Sequence, residues 1–247
     1  MGRHMSEKDG RRREVALVAG VGTGLGAALA RRFAGAGMKV AIVARNSARL
    51  APLAGELADL GGEGRAYGCD VTDADGVKGL FASLLTDFGA PDLVVYNVGS
   101  FVRKTVLETE PAEFEASWRA GCLGGFLVAF EAARLMVANG GGTILFTGAT
   151  ASLRGGAGFV NLAVGKFGLR ALAQSMAREL GPKGVHVAHI IIDGQIHSER
   201  YAHLAAERPA DGLLAPDAIA ENYYRLHRQH RSAWTQEMDL RPWVERF

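Results

Sequence analysis

Cysteine, net charge and long apolar runs are all scarce in this chain. Cys69 and Cys122 have neither metal-ligand spacing nor further partners, so a disulfide scaffold and a zinc module are both excluded. Two reduced cysteines in a reducing, cytoplasmic compartment are expected, and no metal site. A net charge of +2 over 247 residues is too small to point to nucleic acid or a membrane surface. The run Arg11, Arg12, Arg13 reads as a solvated lead-in to the first strand. No uninterrupted apolar segment approaches the length that spans a bilayer. The opening "MGRHM" lacks a hydrophobic signal core and has the look of a vector remnant, so residues 1–13 are set apart from a single domain expected over 14–247.

What the chain does have is glycine and apolar residues. The 33 glycines gather at element boundaries, and 48% of the residues are hydrophobic, enough for a sizeable core. Short apolar runs alternate with amphipathic stretches throughout. "EVALVAG", "KVAIVA", "RAYGCDV", "DLVVYNVG", "TILFTG" and "VHVAHIII" read as strands. Between them lie helical stretches, among them one opened by Ser47, a long one from about Pro111 to Ala138 and one containing Lys166. This order predicts an α/β fold with a doubly wound parallel sheet, because each strand needs a crossover to re-enter in the same sense. After Gly194 the pattern weakens; a segment over about 195–247, with the helix "PDAIAENYYRLHRQ" and a short strand-like "SAWTQEMDL", is expected to cover the carboxyl edge of the sheet.

The first strand runs into "AGVGTGLGAALA", where Gly20, Gly24 and Gly26 stand between a strand and a helix. Glycine there permits a tight turn and lets backbone N–H groups reach a pyrophosphate at the positive helix end. Gly22, Thr23 and Leu25 complete the turn. At the end of the second strand, where an acidic residue would accept hydrogen bonds from a ribose, the chain has Arg45. A guanidinium suits a 2′-phosphate, so NADP(H) is favoured, with NAD(H) as the alternative.

These features resemble the short-chain dehydrogenase/reductase family over nearly the whole chain. The turn from Gly20 to Gly26 resembles its cofactor motif, Asp70-Val71 the pair that contacts adenine, and Asn97 and Gly99 in "YNVG" the segment after the fourth strand. "DGQIHS", Asp193 to Ser198, stands at the motif whose following residues, here Ile196, contact the nicotinamide carboxamide. The resemblance implies a Rossmann fold, a nicotinamide dinucleotide, a small-molecule substrate and a homodimer or homotetramer built through the long helix and the Lys166 helix. The tail places Trp243 and Phe247 where they dock on a neighbouring subunit or on their own core.

The family's catalytic set is mostly missing. Its tyrosine and lysine, spaced Y-x-x-x-K, fall on Leu162 and Lys166, its serine on Ala149 and its asparagine on Gly121. Leucine can neither donate nor accept a proton and alanine cannot polarise a carbonyl. General acid catalysis is worth roughly 10²–10⁴-fold, so ordinary alcohol/ketone chemistry should suffer, while Lys166 remains as a ribose ligand. Thr150, Ser152, Asn161, Tyr96, Asp193, His197 and His203 are the polar residues near enough in sequence to substitute. His186, His189, His227 and His230 read as structural or solvent-facing. Two functions follow: a divergent NADP(H)-dependent oxidoreductase acting on a small carbonyl, enone or alcohol, or a catalytically inactive dinucleotide-binding sensor or scaffold.

Overall fold

The computed structural model describes residues 12–245, so "MGRHM", Arg11 and Phe247 lie outside the described residues. Seven strands form one parallel sheet: β1 (Val15–Ala19), β2 (Lys39–Ala44), β3 (Glu63–Gly68), β4 (Leu93–Tyr96), β5 (Gly142–Thr147), β6 (Val185–Ile192) and β7 (Glu237–Leu240). Their spatial order is β3-β2-β1-β4-β5-β6-β7. The order reverses between β1 and β4, and a sheet of this kind opens a crevice at that point, beyond the carboxyl ends of its strands. β1 and β4 are buried along their whole lengths, as near-continuous apolar runs covered on both faces must be.

Helices occupy both faces. α1 (Leu25–Gly35), α2 (Ala51–Asp59) and α8 (Pro216–His227) enclose one core, around Phe33, Leu29, Leu57, Ile219 and Tyr223. α3 (Ala74–Asp87), α5 (Gly124–Ala138) and α6 (Val160–Leu180) enclose the other, around Phe81, Tyr96, Val128 and Leu169. The short α7 (Ala202–Glu207) stands between β6 and α8. This is the doubly wound, single-domain α/β architecture that the strand-helix alternation predicts.

Local differences from the sequence reading have local causes. The second helix is opened by Asn46, whose side chain accepts from the Ala48 N–H at 3.1 Å; Ser47 already lies inside a 3₁₀ turn, Ser47–Leu50. The long helix is α4 (Pro111–Trp118) joined to α5 through a π turn at Arg119–Leu123. Gly121 lies in that turn against α6: a Cβ there would stand 3.1 Å from the Cα of Gly165. Within Pro111–Ala138 an 18-residue window reaches a mean hydropathy of 1.5, so the stretch is long and apolar enough to cross a membrane by length and composition. Here α5 packs on Tyr96 and Leu169 in the domain core.

The stretch after Gly194 divides. Residues up to Leu214 sit at the sheet's carboxyl edge, tied by an Ile196–Leu214 bridge. α8 and β7 instead belong to the body of the domain, which corrects the expectation of one continuous cover over 195–247. Apolar burial of Ile219, Tyr223 and Leu226 holds α8 beside α1, where Arg32 pairs with Glu221 at 2.5 Å and stacks on Tyr224 at 3.7 Å. β7 extends the sheet, and its Glu237 takes both arms of the Arg170 guanidinium at 2.6 and 2.8 Å. Trp243 stays largely exposed and donates its indole N–H to the Ala210 carbonyl at 3.1 Å, an anchor on its own chain.

Candidate functional site

The turn after β1 is shaped by how closely it approaches the end of β4. Gly20 has φ +89°, a conformation that L side chains rarely adopt, and a Cβ there would lie 2.8 Å from the Asn97 carbonyl and from Val98 Cγ2. The Asn97 side-chain amide donates to the Gly20 carbonyl at 3.1 Å, and the N–H groups of Gly20 and Val21 both donate to the Val43 carbonyl at 3.0 Å. Gly26 closes the turn from below, facing the Cα of Val21. By contrast, Gly22 and Gly24 face open space.

The helix that follows begins bare. No side chain caps α1 at Gly24 and no acidic residue stands in its first turn, whereas Asp73 accepts from the Asp75 and Gly76 N–H groups at the start of α3. Orphan amides and the positive end of the helix dipole therefore point into the crevice, an arrangement that favours an anion.

A cavity of about 660 Å³ opens there; Gly20, Gly22, Arg45, Asp70, Val71, Asn97 and Gly99 all line it. The sequence motifs thus converge, although they are spread over some eighty residues. Thr23 and Arg45 line an adjoining cavity of about 570 Å³, together with Arg49. Arg31, on the same wall, is occupied by Glu56 at 2.7 Å; Arg45 and Arg49 have no ion-pair partner among the described residues. Arg49 was not foreseen, because its approach depends on the 3₁₀ turn. Leu25 and Gly26 are buried beneath the turn. Asp70 accepts from the Thr72 N–H and hydroxyl at 2.9 and 2.8 Å, contacts that hold its carboxyl below the usual carboxylate range.

Lys166 lies on α6 beside these strand ends. Its ammonium donates to the Thr147 carbonyl at 2.7 Å and to that of Val98 at 3.4 Å. Burial lowers its pKa to about 8. An ammonium has three donors, so one remains for a further acceptor.

A third cavity, of about 500 Å³, lies at the ends of β5 and β6. Its walls include Ala149, Leu162, Phe101, Phe159, Ile192 and Ile196, so two of the changed catalytic positions make an apolar pocket. Thr150, Tyr201 and Arg154 add polar groups; Tyr201 and Arg154 went unrecognised because no spacing ties them to the motifs.

The remaining candidates separate cleanly. Tyr96 is not at the crevice: it is fully buried under α5, its hydroxyl donates to the Ala120 carbonyl at 2.6 Å, and burial pushes its pKa far upward. Asn161 is buried and donates to Thr109 Oγ1 at 3.4 Å. Asp193 accepts the Thr150 hydroxyl at 2.5 Å and faces Arg241 at 3.5 Å. His197 and His203 are exposed. Ser152 and His189 are wholly buried: Ser152 Oγ accepts from the Ala149 N–H at 3.1 Å and meets His189 Nε2 at 3.3 Å. His186 stacks on Trp234 with ring centroids 4.9 Å apart. His227, which shows no partner carboxylate in its own stretch of sequence, lies 3.8 Å from Glu14. No group of three potential metal ligands occurs among the described residues.

Comparison with known proteins gives this arrangement a family. The family model for short chain dehydrogenase matches residues 14–207. The chain is 34% identical over 192 residues to the (21S)-21-acetoxyl-apo-melianone synthase of Melia azedarach, covering 76% of this chain and 69% of that protein. A crystal structure of a short-chain dehydrogenase from Rhodopseudomonas palustris is 41% identical, with a TM-score of 0.82 over 94% of this chain and 100% of the other. A metagenomic short-chain oxidoreductase solved with NADP is 26% identical, with a TM-score of 0.81 over 94% and 98%. The chain belongs to the short-chain dehydrogenase family, whose known members are NAD(P)-dependent oxidoreductases with a Rossmann fold.

The buried His189 sets a pH dependence. Its pKa is lowered by burial from 6.5 to about 4. As pH falls through this window the unfolded chain takes up the proton first, so stability is lost. Unfolding free energies from urea titrations at pH 7.5 and 5 should differ by about 2 kcal/mol, and His189→Gln should flatten that difference. An equally steep acid dependence in the variant would contradict the assignment.

Proposed function

We propose that the protein is an NADP(H)-dependent oxidoreductase acting on a small carbonyl, enone or alcohol held in the apolar pocket beside Leu162 and Ala149. The observation that supports this most strongly is the uncapped start of α1, opening on two adjoining cavities bordered by Arg45 and Arg49, neither with an ion-pair partner among the described residues. The turn from Gly20 to Gly26, with Gly22, Thr23, Gly24 and Leu25, would hold the diphosphate on backbone N–H groups. Arg45, helped by Arg49, would bind the 2′-phosphate that distinguishes NADP(H) from NAD(H). Asp70 and Val71 would flank the adenine, Asn97 and Gly99 the inner ribose, and Ile196 the nicotinamide end. Lys166 would give its remaining N–H to a ribose hydroxyl.

Once bound, the dinucleotide supplies or removes hydride at its nicotinamide. The pocket's own task is to orient the substrate and exclude water, which Leu162, Phe159 and Ile192 do by apolar contact. With neither Tyr nor Ser at the usual positions, reduction would be confined to substrates needing little protonation, such as activated enones. Loss of NADPH absorbance across a panel of enones, ketones and aldehydes tests this, and tight binding without turnover of any of them would contradict it. Arg45→Glu should weaken NADPH binding by about tenfold to a hundredfold and leave NADH nearly unchanged, since a charged contact is worth roughly 1.5–3 kcal/mol. Equal losses for both coenzymes would remove the basis for the NADP(H) preference.

A second reading is a catalytically inactive dinucleotide-binding sensor or scaffold. It is favoured by the close approach at Gly121, which leaves no room for an asparagine side chain without moving α6. Leu162→Tyr with Ala149→Ser distinguishes the two. Activity appearing only in the double variant would favour the inactive reading.

The chain is further proposed to act as a homodimer or homotetramer in the cytoplasm, without nucleic-acid or membrane partners. Exposed Phe126, Phe130 and Phe167 on α5 and α6 support assembly through these helices, and the unpaired Cys69 and Cys122 a reducing setting. Sedimentation equilibrium should show an oligomer that Phe130→Glu dissociates.

A further inference from the structure

Thr150 and Asp193 form a hydrogen-bonded polar pair at the wall of a largely apolar pocket. Thr150 stands just past the end of β5 and lines the cavity of about 500 Å³. Asp193 follows β6 directly and is buried, with its backbone N–H donating to the Leu240 carbonyl at 2.8 Å. The two side chains are brought together across 43 residues of sequence: Thr150 Oγ1 donates to Asp193 Oδ1 at 2.5 Å. Arg241 stands 3.5 Å from the other carboxylate oxygen and also pairs with Asp239. A carboxylate can only accept.

The consequence lies in the direction of the hydrogen bond. A hydroxyl has one proton and two lone pairs, and Thr150 commits its proton to Asp193. Only acceptor capacity remains, and no group is seen donating to Thr150 Oγ1 among the described residues. A ligand oxygen arriving there must bring a proton. An alcohol can do so; a ketone, which only accepts, meets a lone pair with a lone pair. Resting on the oxidoreductase reading above, we propose that Thr150, oriented by Asp193, is a hydroxyl-accepting specificity residue, and that the pocket selects apolar alcohols over the corresponding ketones. Phe101, Phe159, Leu162 and Ile196 supply the apolar body of the site, and its size suits a ligand of one ring and a short side chain. The role differs from that of a proton-donating tyrosine: Thr150 holds the reacting oxygen by accepting, so the favoured ligand is the reduced partner of an alcohol/ketone pair.

The probes are 1-phenylethanol and acetophenone, which differ only in that oxygen. Each is titrated by calorimetry into protein saturated with NADP⁺. The alcohol should bind about fivefold to tenfold tighter than the ketone, the worth of one net hydrogen bond to an acceptor polarised by a carboxylate. Thr150→Val, which keeps the shape and loses the lone pairs, should bind the two alike, and Thr150→Ser should restore the preference. Should Thr150→Val fail to fold, the comparison in the native protein and in Thr150→Ser decides alone. Equal binding in the native protein, tighter binding of the ketone, binding of neither probe, or a preference that survives in Thr150→Val would each overturn the proposal. The NADP⁺ titration that precedes each run separates the two levels. If no dinucleotide binds, the proposed function has failed. If it binds and no alcohol preference follows, only the role of Thr150 has.

Discussion

The close approach of two loops at the sheet's reversal point governs the rest of this structure. The amide of Asn97, after β4, holds the carbonyl of Gly20, after β1, and no Cβ fits between them. That contact fixes the exit direction of the chain from β1, and with it the axis along which α1 departs. Because the contact uses up the Gly20 carbonyl, while the amides at the start of α1 lack any cap, the crevice presents donors rather than acceptors. Charge then follows geometry: Arg45 and Arg49 add positive potential on the same side, and neither has an ion-pair partner among the described residues.

Around this frame other residues stand where the family resemblance places catalytic groups. Where the family resemblance places a tyrosine and a serine, Leu162 and Ala149 line a largely apolar pocket. Where it places an asparagine, Gly121 lets the π turn lie against α6. Lys166 keeps its post because its ammonium is held by two strand-end carbonyls, a tie that owes nothing to a neighbouring tyrosine. Polar groups reappear one and three residues beyond Ala149, with Thr150 paired to Asp193 and Ser152 buried against His189.

Much of this was legible in the chain itself. The strands announce themselves as unbroken apolar runs, because both faces of a parallel sheet are covered. The glycine turn and Arg45 are local signals, read without knowing anything distant. What stayed hidden depends on contacts between remote segments. Tyr96 looked like a crevice residue from its place at a strand end, yet strand alternation turns its ring into the core beneath α5. The pairing of Glu237 with Arg170, of Glu14 with Arg228, and of Thr150 with Asp193 each joins residues that no local pattern relates. Weak periodicity after Gly194 hid the division between the short stretch at the pocket mouth and the buried α8, whose apolar face is interrupted by polar residues.

The central claim is that a dinucleotide diphosphate rests on the bare amides opening α1. Hydrogen–deuterium exchange with and without saturating NADPH tests it at those atoms. The account predicts slowed exchange concentrated in the peptide spanning Gly20 to Ala27, with the Asp73-capped start of α3 unchanged. Coenzyme binding that leaves exchange in Gly20 to Ala27 unaltered would contradict it.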